Sequence, residues 1–323
     1  MNTRMTFSML PAVMFVLLAG VGLSLAQAES PELFIHEASR IQAVPEINGR
    51  LDDECWQTAR KWDGFMASAG KKAEIKTSFA ALYDGQYFYL GIECEDPDTA
   101  GLVARYEGRD SKVYEDDSVE IFFDPAHSHE NEYQLVVNSK GEKYDGCKKI
   151  GKKWDPDWDV KTSVTSGAWT VELRIPFAAF DQGPQDRKAF GAAVWGFALC
   201  RNRHTAGDFG RSYFGAIYGS HHQPKLFGHL VFREFMAKAC LAEKEKVAAA
   251  LGRNHEVAKK LQGVFEENSG KIDQLARMLS RPGAELNACY REYEAILEQY
   301  ASILKQFNEL EWDARFEPLF QKK

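Results

Sequence analysis

The residues of this sequence best suited to chemistry are the carboxylates of the run YEDDSVEIFFDP, from Tyr114 to Pro125. Side chains alternate between the two faces of a strand, so Val119, Ile121 and Phe123 are predicted to point into a core. Glu120 then projects from the opposite face, beside an aromatic ring. An ionised carboxylate there is suited to accept hydrogen bonds from ligand hydroxyl groups, and a plain solvated strand charge is the open alternative.

The neighbouring acids Asp116, Asp117 and Asp124 are open to two interpretations, as calcium ligands or as a solvated strand edge. Catalysis by paired carboxylates needs a second acid across a cleft, whereas these acids follow one another along a single strand. The sequence also lacks G-x-S-x-G, H-E-x-x-H and Walker-type motifs. We therefore expect no catalytic activity from this chain.

Two polar segments contain weaker candidates. His127 and His129 form an H-x-H pair that suits a metal on a strand, but they follow Asp124-Pro125 in a predicted loop, so zinc binding is the less favoured interpretation. WDPDWD, from Trp154 to Asp159, combines acids with two tryptophans, which suggests calcium binding or stacking against a sugar ring. A turn rich in Asp is the commoner explanation of such a segment.

The elements that must position these residues are strands as far as residue 232. AWTVELRIP has an apolar period of two, and the segments around Leu90, Leu135 and Phe197 repeat it. Short strands separated by Gly, Asp, Asn and Pro turns favour an antiparallel sandwich over a parallel sheet. The predicted fold is therefore a mainly β sandwich over residues 29–233.

After residue 232 the apolar residues move to three-and-four spacing, which predicts two or three helices over residues 234–323. NSG near Asn268 and SRPG near Pro282 are predicted to separate them. An antiparallel hairpin, packed on itself or on the sandwich, is favoured over a coiled-coil arm for self-association. The stronger heptad stripe is Leu286, Tyr290, Tyr293, Leu297, Tyr300, Leu304 and Phe307, and the weaker one is Leu241, Ala248, Leu251, Ala258 and Phe265.

Residues 1–28 have the pattern of a cleavable signal peptide, because Arg4 precedes an apolar run that ends in a small-residue cleavage site at Ala28. We therefore expect a secreted or periplasmic protein without a membrane span in its mature part. The formal net charge of −7 disfavours nucleic acid as a partner. The six cysteines are predicted to form disulfides or buried free thiols, and none belongs to a C-x-x-C zinc unit.

Five segments, in this order, resemble the family 9 carbohydrate-binding modules. INGRLDDECWQTA, from Ile47 to Ala59, is similar to the family's opening I-D-G-x-L-D-E-x-x-W, with Asn48 in place of Asp. It combines a Gly turn, an Asp cap and a short helix that buries Trp56. ALYDGQYFYLGIECED, YEDDSVEIFFDP, WTVELRIPF and QPKLFGHLVF follow it. The resemblance covers about residues 40–233 and excludes the helices.

The resemblance implies a jelly-roll-like sandwich, a structural calcium ion, and a slot in which two aromatic rings flank the end of a saccharide. The two ring positions, which are tryptophan in the family, fall on Tyr114 and His221. The family's sugar-contacting Arg and Gln fall on Val136 and Cys200. Only Glu120 matches the family pattern unchanged.

Strand alternation supports part of this site. If Trp195, Phe197 and Leu199 face inward, Cys200 lies on the same face as Glu120, with Arg201 and Asn202 at the end of that strand. The predicted ligand-binding residues are thus Tyr114, Glu120, His221, Arg201 and Asn202.

These residues predict an exported, non-catalytic protein that binds an oligo- or polysaccharide, with the helices as spacer or assembly element. The alternative from a different class is a structural or surface-assembly protein that has lost the sugar site and associates through its helices. A haem-binding sandwich with His221 as axial ligand is a weaker alternative, because the sequence lacks a haem attachment signature.

Overall fold

A computed structural model of the chain describes residues 34–67, 71–182, 189–207, 210–217, 219–281 and 284–320. The predicted signal peptide and its cleavage site lie outside these described residues. Twelve strands and four α-helices are present in the described ranges. The strands are β1 (Ile35–Arg40), β2 (Met66–Ala67), β3 (Thr77–Tyr83), β4 (Tyr87–Glu95), β5 (Ser118–Asp124), β6 (Tyr133–Asn138), β7 (Lys143–Cys147), β8 (Asp159–Thr165), β9 (Ala168–Pro176), β10 (Val194–Arg203), β11 (Gly210–Phe214) and β12 (Gly228–Val231).

The strands form one curled sheet in the order β7-β6-β5-β10-β12-β1-β3-β4-β9-β8, with β11 beside β10 and β2 beside β11. The two parts of the sheet meet at β1. The first residues of β1 pair with β12 and its last residues pair with β3, and both pairings are parallel. All other strand pairs are antiparallel in the described residues. The prediction of a mainly β domain is confirmed. The prediction of an antiparallel arrangement is wrong, because β1 is shared by both halves of the sheet and is parallel to its neighbour in each half.

The main core lies between the two halves of the sheet. Phe79 of β3 packs against Phe197 of β10 with ring centroids 5.4 Å apart, and Phe88 of β4 packs against Phe123 of β5 at 5.6 Å. The predicted inward set Val119, Ile121 and Phe123 is fully buried there. Apolar alternation on facing strands therefore produces the sandwich-like core that the period of two predicts.

The opening segment folds as a turn followed by α1 (Glu54–Thr58), which buries Trp56 as predicted. Trp56 Nε1 donates to Oε1 of the buried Glu172 at 2.7 Å, and Gly49 N donates to Oε2 at 2.8 Å. The side chain of Asp53 does not cap α1. It accepts a hydrogen bond from Glu46 N instead, so it holds the turn and not the helix.

Three long helices follow the sheet: α2 (Arg233–Leu251), α3 (His255–Leu279) and α4 (Leu286–Phe320). The predicted break near Pro282 falls between α3 and α4. The predicted break near Asn268 is wrong, because Asn268 is buried inside α3 and its Nδ2 donates to Ile296 O at 3.1 Å. The first break comes instead at residues 252–254, where Asn254 caps α3 by accepting from Val257 N.

The stronger heptad stripe lies within this bundle. Its residues Tyr290, Tyr300 and Phe307 are buried against the other helices and the sheet. The weaker stripe is only partly buried, since Leu241 is 47% exposed. Because the stronger stripe is buried within the chain's own bundle, it is not a free surface for a second copy of the chain. No helix in the described ranges has the length and apolar content to cross a membrane.

The helices also pack directly on the sheet. The ring of Tyr290 stacks on His229 of β12 at 4.6 Å, and Arg233 at the start of α2 forms a bidentate ion pair with Glu37 of β1. The buried residues of sheet and bundle form one continuous apolar cluster. The helices therefore cover part of the sandwich.

All six cysteines lie in the described ranges and all are free thiols. Only the first is partly exposed. Burial raises the pKa of Cys94 to about 11 and that of Cys240 to about 12, which keeps both protonated and unreactive at neutral pH. The cysteines are Cys55, Cys94, Cys147, Cys200, Cys240 and Cys289.

Candidate functional site

The candidate site is centred on Glu120, in the middle of β5 and on the sheet face that points away from the main core. β5 is flanked by β6 and β10, and Glu120 is paired with Val136 on one side and Cys200 on the other. Only 6% of Glu120 is exposed. A plain solvated strand charge is therefore excluded, because this face of β5 is covered as well as the inner one.

Three side chains hold the Glu120 carboxylate. Asn202 Nδ2 donates to Oε1 at 2.6 Å, Gln134 Nε2 donates to Oε2 at 2.8 Å, and His221 Nδ1 lies 3.0 Å from Oε1. Burial by itself raises the pKa of Glu120, but the hydrogen bond from His221, with those from Asn202 and Gln134, outweighs it and leaves the pKa below its usual value. Glu120 is thus an ionised acceptor at neutral pH.

His221 is the one member of this group with an unmet polar atom. An ionised carboxylate only accepts, so Nδ1 of His221 carries the proton that it shares with Glu120. Its other nitrogen, Nε2, is buried and has no hydrogen-bond partner among the described residues. The residue is only 7% exposed. Buried polar atoms are normally paired, so Nε2 lacks the hydrogen-bond partner that such an atom usually has.

Two aromatic pairs flank Glu120 along a row of paired residues that crosses five strands. The row is Tyr144, Val136, Glu120, Cys200 and Tyr213. On one side Tyr144 of β7 follows Val136 in the row, and its ring meets Tyr114 edge-on at 6.2 Å. On the other side Tyr213 of β11 follows Cys200, and its ring lies 5.4 Å from His221. Neighbouring strands are about 4.8 Å apart, so the backbone of each tyrosine strand lies roughly 10 Å from Glu120. The row therefore has an aromatic ring at each end and the acceptor Glu120 at its centre.

A second set of contacts fixes this group in place. Arg211 Nε donates to Asn202 Oδ1 at 3.2 Å, which orients the amide so that its nitrogen faces Glu120. Phe122 and Cys200 belong to a small apolar cluster on the same face, closed by Ile217 and Phe227. Burial, and next the charge of Glu120, raises the pKa of the Cys200 thiol well above its usual value. Cys200 is therefore a neutral packing residue beside the carboxylate.

This site lies in the part of the chain that matches a known family. A model of the family described as "Carbohydrate family 9 binding domain-like" matches residues 47–234, which is more than half of the chain. The chain belongs to this family. The helices α3 and α4 lie outside the matched range.

Solved structures similar to this family 9 domain-like chain include a family 9 carbohydrate-binding module from Caldicellulosiruptor kristjanssonii, solved with cellotriose and with glucose. Each is 20% identical and covers 61% of this chain, with 93% and 95% of the module covered and TM-scores of 0.46. A protein described as a putative carbohydrate-binding protein from Bacteroides uniformis ATCC 8492 is 15% identical. It covers 61% of this chain and 98% of its own, with a TM-score of 0.49. No curated protein matches the chain at a significant level.

The family 9 positions predicted from the sequence fall together in the fold. Val136, Glu120 and Cys200 are consecutive members of one row across three strands. His221 contacts Glu120 directly, and Tyr114 lies at the edge of the row, 40% exposed, against Tyr144. The inference that Cys200 shares the face of Glu120 is confirmed.

Arg201 is the predicted site residue that the structure does not bring to this face. It is 2% exposed, and its Nη2 donates to Asp96 Oδ2 at 3.1 Å. Strand alternation explains the difference, because Arg201 has the opposite parity from Asn202 and Cys200. The same parity rule finds a residue that sequence reasoning missed: Gln134 is an outward neighbour of the inward Leu135 on β6.

The aspartates of the run YEDDSVEIFFDP accept hydrogen bonds from the backbone of neighbouring loops and so hold those loops in place. Both oxygens of Asp116 accept hydrogen bonds from backbone N–H groups, as do both oxygens of Asp117, and Asp124 accepts one from His129 N. These hydrogen bonds give both oxygens of Asp116 and of Asp117 partners within the chain. The described residues contain no group of three or more His, Cys, Asp or Glu that is arranged to hold a metal ion.

WDPDWD is also part of the structure's framework. Trp154 is fully buried and donates to Ala179 O at 2.8 Å, and Trp158 donates to Asp145 Oδ1 at 3.0 Å. Asp159 at the end of the segment pairs with Arg174. Stacking of either tryptophan on a sugar is therefore excluded, because neither ring has a free face.

The histidines His127 and His129 lie close together, with ring centroids 4.5 Å apart. His127 Nε2 is 3.0 Å from His229 Nδ1. The rings of His127 and His229 therefore each use one nitrogen in a hydrogen bond with the other. Burial, and next the charge of His129, lowers the pKa of His229 to about 4. The contact joins this loop to β12 and does not have the arrangement of a zinc site.

Proposed function

We propose that this chain is an exported, non-catalytic carbohydrate-binding protein that holds a saccharide over the row around Glu120. The single observation that carries the proposal is the ionised, buried carboxylate of Glu120 with the unmet Nε2 of His221 beside it, between the pairs Tyr114–Tyr144 and Tyr213–His221. A saccharide has apolar C–H faces that pack on rings and hydroxyl groups that pair with carboxylates, amides and imidazoles. The family membership supports this ligand class.

The electrostatics of Glu120 favour binding over catalysis. A general acid for glycoside hydrolysis needs a carboxyl group whose pKa is raised, so that it holds a proton near neutral pH. The pKa of Glu120 is lowered, because its hydrogen bonds outweigh its burial. Glu120 therefore accepts hydrogen bonds in its resting state, and we expect oligosaccharides to be recovered unchanged after incubation with the protein.

Recognition of a chain end is the finer part of the proposal. A ring edge at Tyr114 and an imidazole at His221, on opposite sides of Glu120, suit one terminal unit better than a continuous flat chain. Export rests on the predicted signal peptide of residues 1–28. A structural calcium ion is a further part of the proposal, and a rise in Tm with calcium that a chelator reverses would support it.

The test is titration calorimetry of the protein against glucose, cellobiose, xylobiose and their reduced alditols. We expect heat with the sugars, and no heat with the alditols if a reducing end is recognised. Tyr114→Ala and Glu120→Gln should each weaken binding by about 1–3 kcal/mol, the cost of losing a stacked ring or a buried hydrogen-bonded charge. Trp312→Ala, which removes an exposed ring on α4, is the matched control and should change nothing. Unchanged binding in both site variants would move the ligand to another surface.

Association through the helices is not part of this proposal. The alternative function needs the heptad stripe at a surface, and its residues Tyr290, Tyr300 and Phe307 are buried within the chain. Sedimentation of the full chain over a range of concentrations tests this, and a monomer is the expected result.

A further inference from the structure

Residues 219–226 form a short segment against the outer face of β5, and we call this segment the cover. The ring centroids of His221 and His222 lie 6.3 Å and 5.5 Å from that of Phe122 on β5. Phe227, which follows the cover, packs on the same ring at 5.7 Å. The cover therefore lies over the outward side chains in the middle of β5.

Two consecutive histidines pair the cover with two carboxylates. His221 Nδ1 lies 3.0 Å from Glu120 Oε1, and His222 Nδ1 pairs with Oε1 of Glu132, which directly precedes β6. Both carboxylates are buried. Oε2 of Glu132 has no hydrogen-bond partner among the described residues, so the contact with His222 is what offsets the burial of this charge.

The cover also closes the row of residues around Glu120. In that row Cys200 lies between Glu120 and Tyr213, and His221 contacts both of these neighbours, with its ring 5.4 Å from that of Tyr213. Cys200 is fully buried. While His221 stays in this position, a saccharide has no access to the Glu120 carboxylate or to the surface above Cys200.

The contact made by His222 depends on pH. Its side chain is 56% exposed, the acids that face it are Glu132 and Glu120, and the base is Lys148. The hydrogen bond with Glu132 raises the pKa of His222 above its usual value, although burial opposes this. The pair is charge-assisted below that raised pKa and weakens as the pH rises through it, because a neutral imidazole is a weaker donor.

We propose that the cover opens and closes over the Glu120 row, and that its two histidine–glutamate pairs hold it closed until a saccharide binds. The inference rests on the proposed function and adds the way in which the ligand enters the site. His222 and Glu132 are positioning residues, because they act on the ligand through His221.

Opening makes the carboxylate available to a ligand. When His221 leaves Oε1, Glu120 keeps its hydrogen bonds from Asn202 and Gln134, and Oε1 is free to accept one ligand hydroxyl. The first residue of the cover, Gly219, is exposed and has a φ of +87°, a conformation that glycine adopts without strain. The chain is therefore able to turn at this end of the cover.

The first measurement needs no ligand, because the thiol of Cys200 reports the opening of the cover. The protein is treated with N-ethylmaleimide, and labelling of each cysteine is followed by mass spectrometry of its peptides. A buried thiol reacts only in the open state, so the labelling rate of Cys200 follows the open population. We expect His222→Gln to label Cys200 about 3- to 10-fold faster than wild type, the effect of losing one partly exposed ion pair.

Two controls separate local opening from other effects. His255→Gln, at an exposed position of α3, also removes a histidine and should leave the labelling rate of Cys200 unchanged. Cys94 is fully buried in the main core and reports global unfolding. Equal acceleration at Cys94 and Cys200, or an unchanged rate at Cys200 in His222→Gln, would overturn the proposal.

The pH dependence gives a readout that a purely structural role would not move. The ratio of the Cys200 rate to that of the partly exposed Cys55 corrects for the thiolate fraction, which increases with pH for both. This ratio should rise in wild type as the pH increases above 6.5 and His222 loses its proton, and it should stay constant in His222→Gln. A constant ratio in wild type would overturn the role of the His222–Glu132 pair.

Calorimetry with cellobiose then tests whether the cover controls binding. If only the open state binds, the apparent affinity is proportional to the open fraction, so His222→Gln should bind cellobiose more tightly by the same factor by which Cys200 labelling accelerates. Faster labelling with unchanged cellobiose affinity would overturn control by the cover and keep the proposed function. Faster labelling without cellobiose binding by either protein would refute the proposed function for this sugar, whereas the opening itself would stand.

Discussion

His36 provides the sharpest test of the fold's energetics, because it is a neutral histidine buried in β1. It is 1% exposed, and neither ring nitrogen makes a hydrogen bond of normal geometry with the described residues. Its ring packs on Phe79 at 4.8 Å. Burial, and next the positive charge of Arg60, lowers the pKa of His36 from 6.5 to about 3.

The direction of the pH effect follows from that shift. The unfolded chain takes up a proton on this ring as the pH falls through 6.5, while the folded chain does not until about pH 3. The contribution of His36 to stability is therefore nearly constant well above pH 6.5 and decreases below it, by about 1.4 kcal/mol per pH unit. Between pH 7.5 and 4.5 His36 alone removes about 2.7 kcal/mol of the free energy of unfolding.

The test is His36→Phe, which keeps an aromatic ring against Phe79 and removes the titrating group. Urea unfolding followed by tryptophan fluorescence should show the stability difference between variant and wild type growing by about 2.7 kcal/mol from pH 7.5 to 4.5. Other groups, including His229, titrate in both proteins and cancel. His255→Phe, at an exposed position of α3, is the control and should produce no such growth. A growth below about 0.5 kcal/mol, within the error of the extrapolation, would refute the buried neutral histidine.

Three further predictions concern the framework. Glu172→Gln should lower the free energy of unfolding by about 1–3 kcal/mol, measured by urea unfolding, because it weakens a buried charged acceptor for Trp56; full stability would show that the contact is dispensable. Deleting the chain from Lys238 onward should cause aggregation, measured by light scattering, because the helices cover part of the sandwich, and a soluble, folded fragment would contradict this. Gly228→Ala should destabilise the protein by about 1–3 kcal/mol, measured as a loss of Tm, because the added carbon would lie 2.5 Å from Phe34 O; an unchanged Tm would mean that the strand shifts freely.

The fold could be predicted where local periodicity decides the structure. Alternation at Val119, Ile121 and Phe123 located the inner face of β5, and the change of spacing after residue 232 located the helices. The parallel pairing of β1 and the burial of Asn268 inside α3 depend on partners remote in sequence. Local patterns carry no information about such partners.

The site could be predicted in part for the same reason. Alternation placed Cys200 beside Glu120, and strict use of parity would have removed Arg201 and added Gln134. Burial of the outer face of β5 was beyond sequence reasoning, because the cover comes from a segment about a hundred residues later that contains His221. WDPDWD contained a missed signal, since its residues alternate between buried and exposed as a strand-like segment does.

The shared strand β1 has a consequence for the way the protein is made. Ile35–Glu37 pair with His229–Val231, so β1 waits for the last described strand, β12, to be synthesised before its own pairing is complete. Contacts between such distant segments form slowly, and until they form both partners have unpaired edges that invite aggregation. His221 precedes β12 by only a few residues, so the Glu120 row is completed at the same late stage. If the proposed saccharide site is correct, a nascent chain does not bind its ligand until the sandwich has closed.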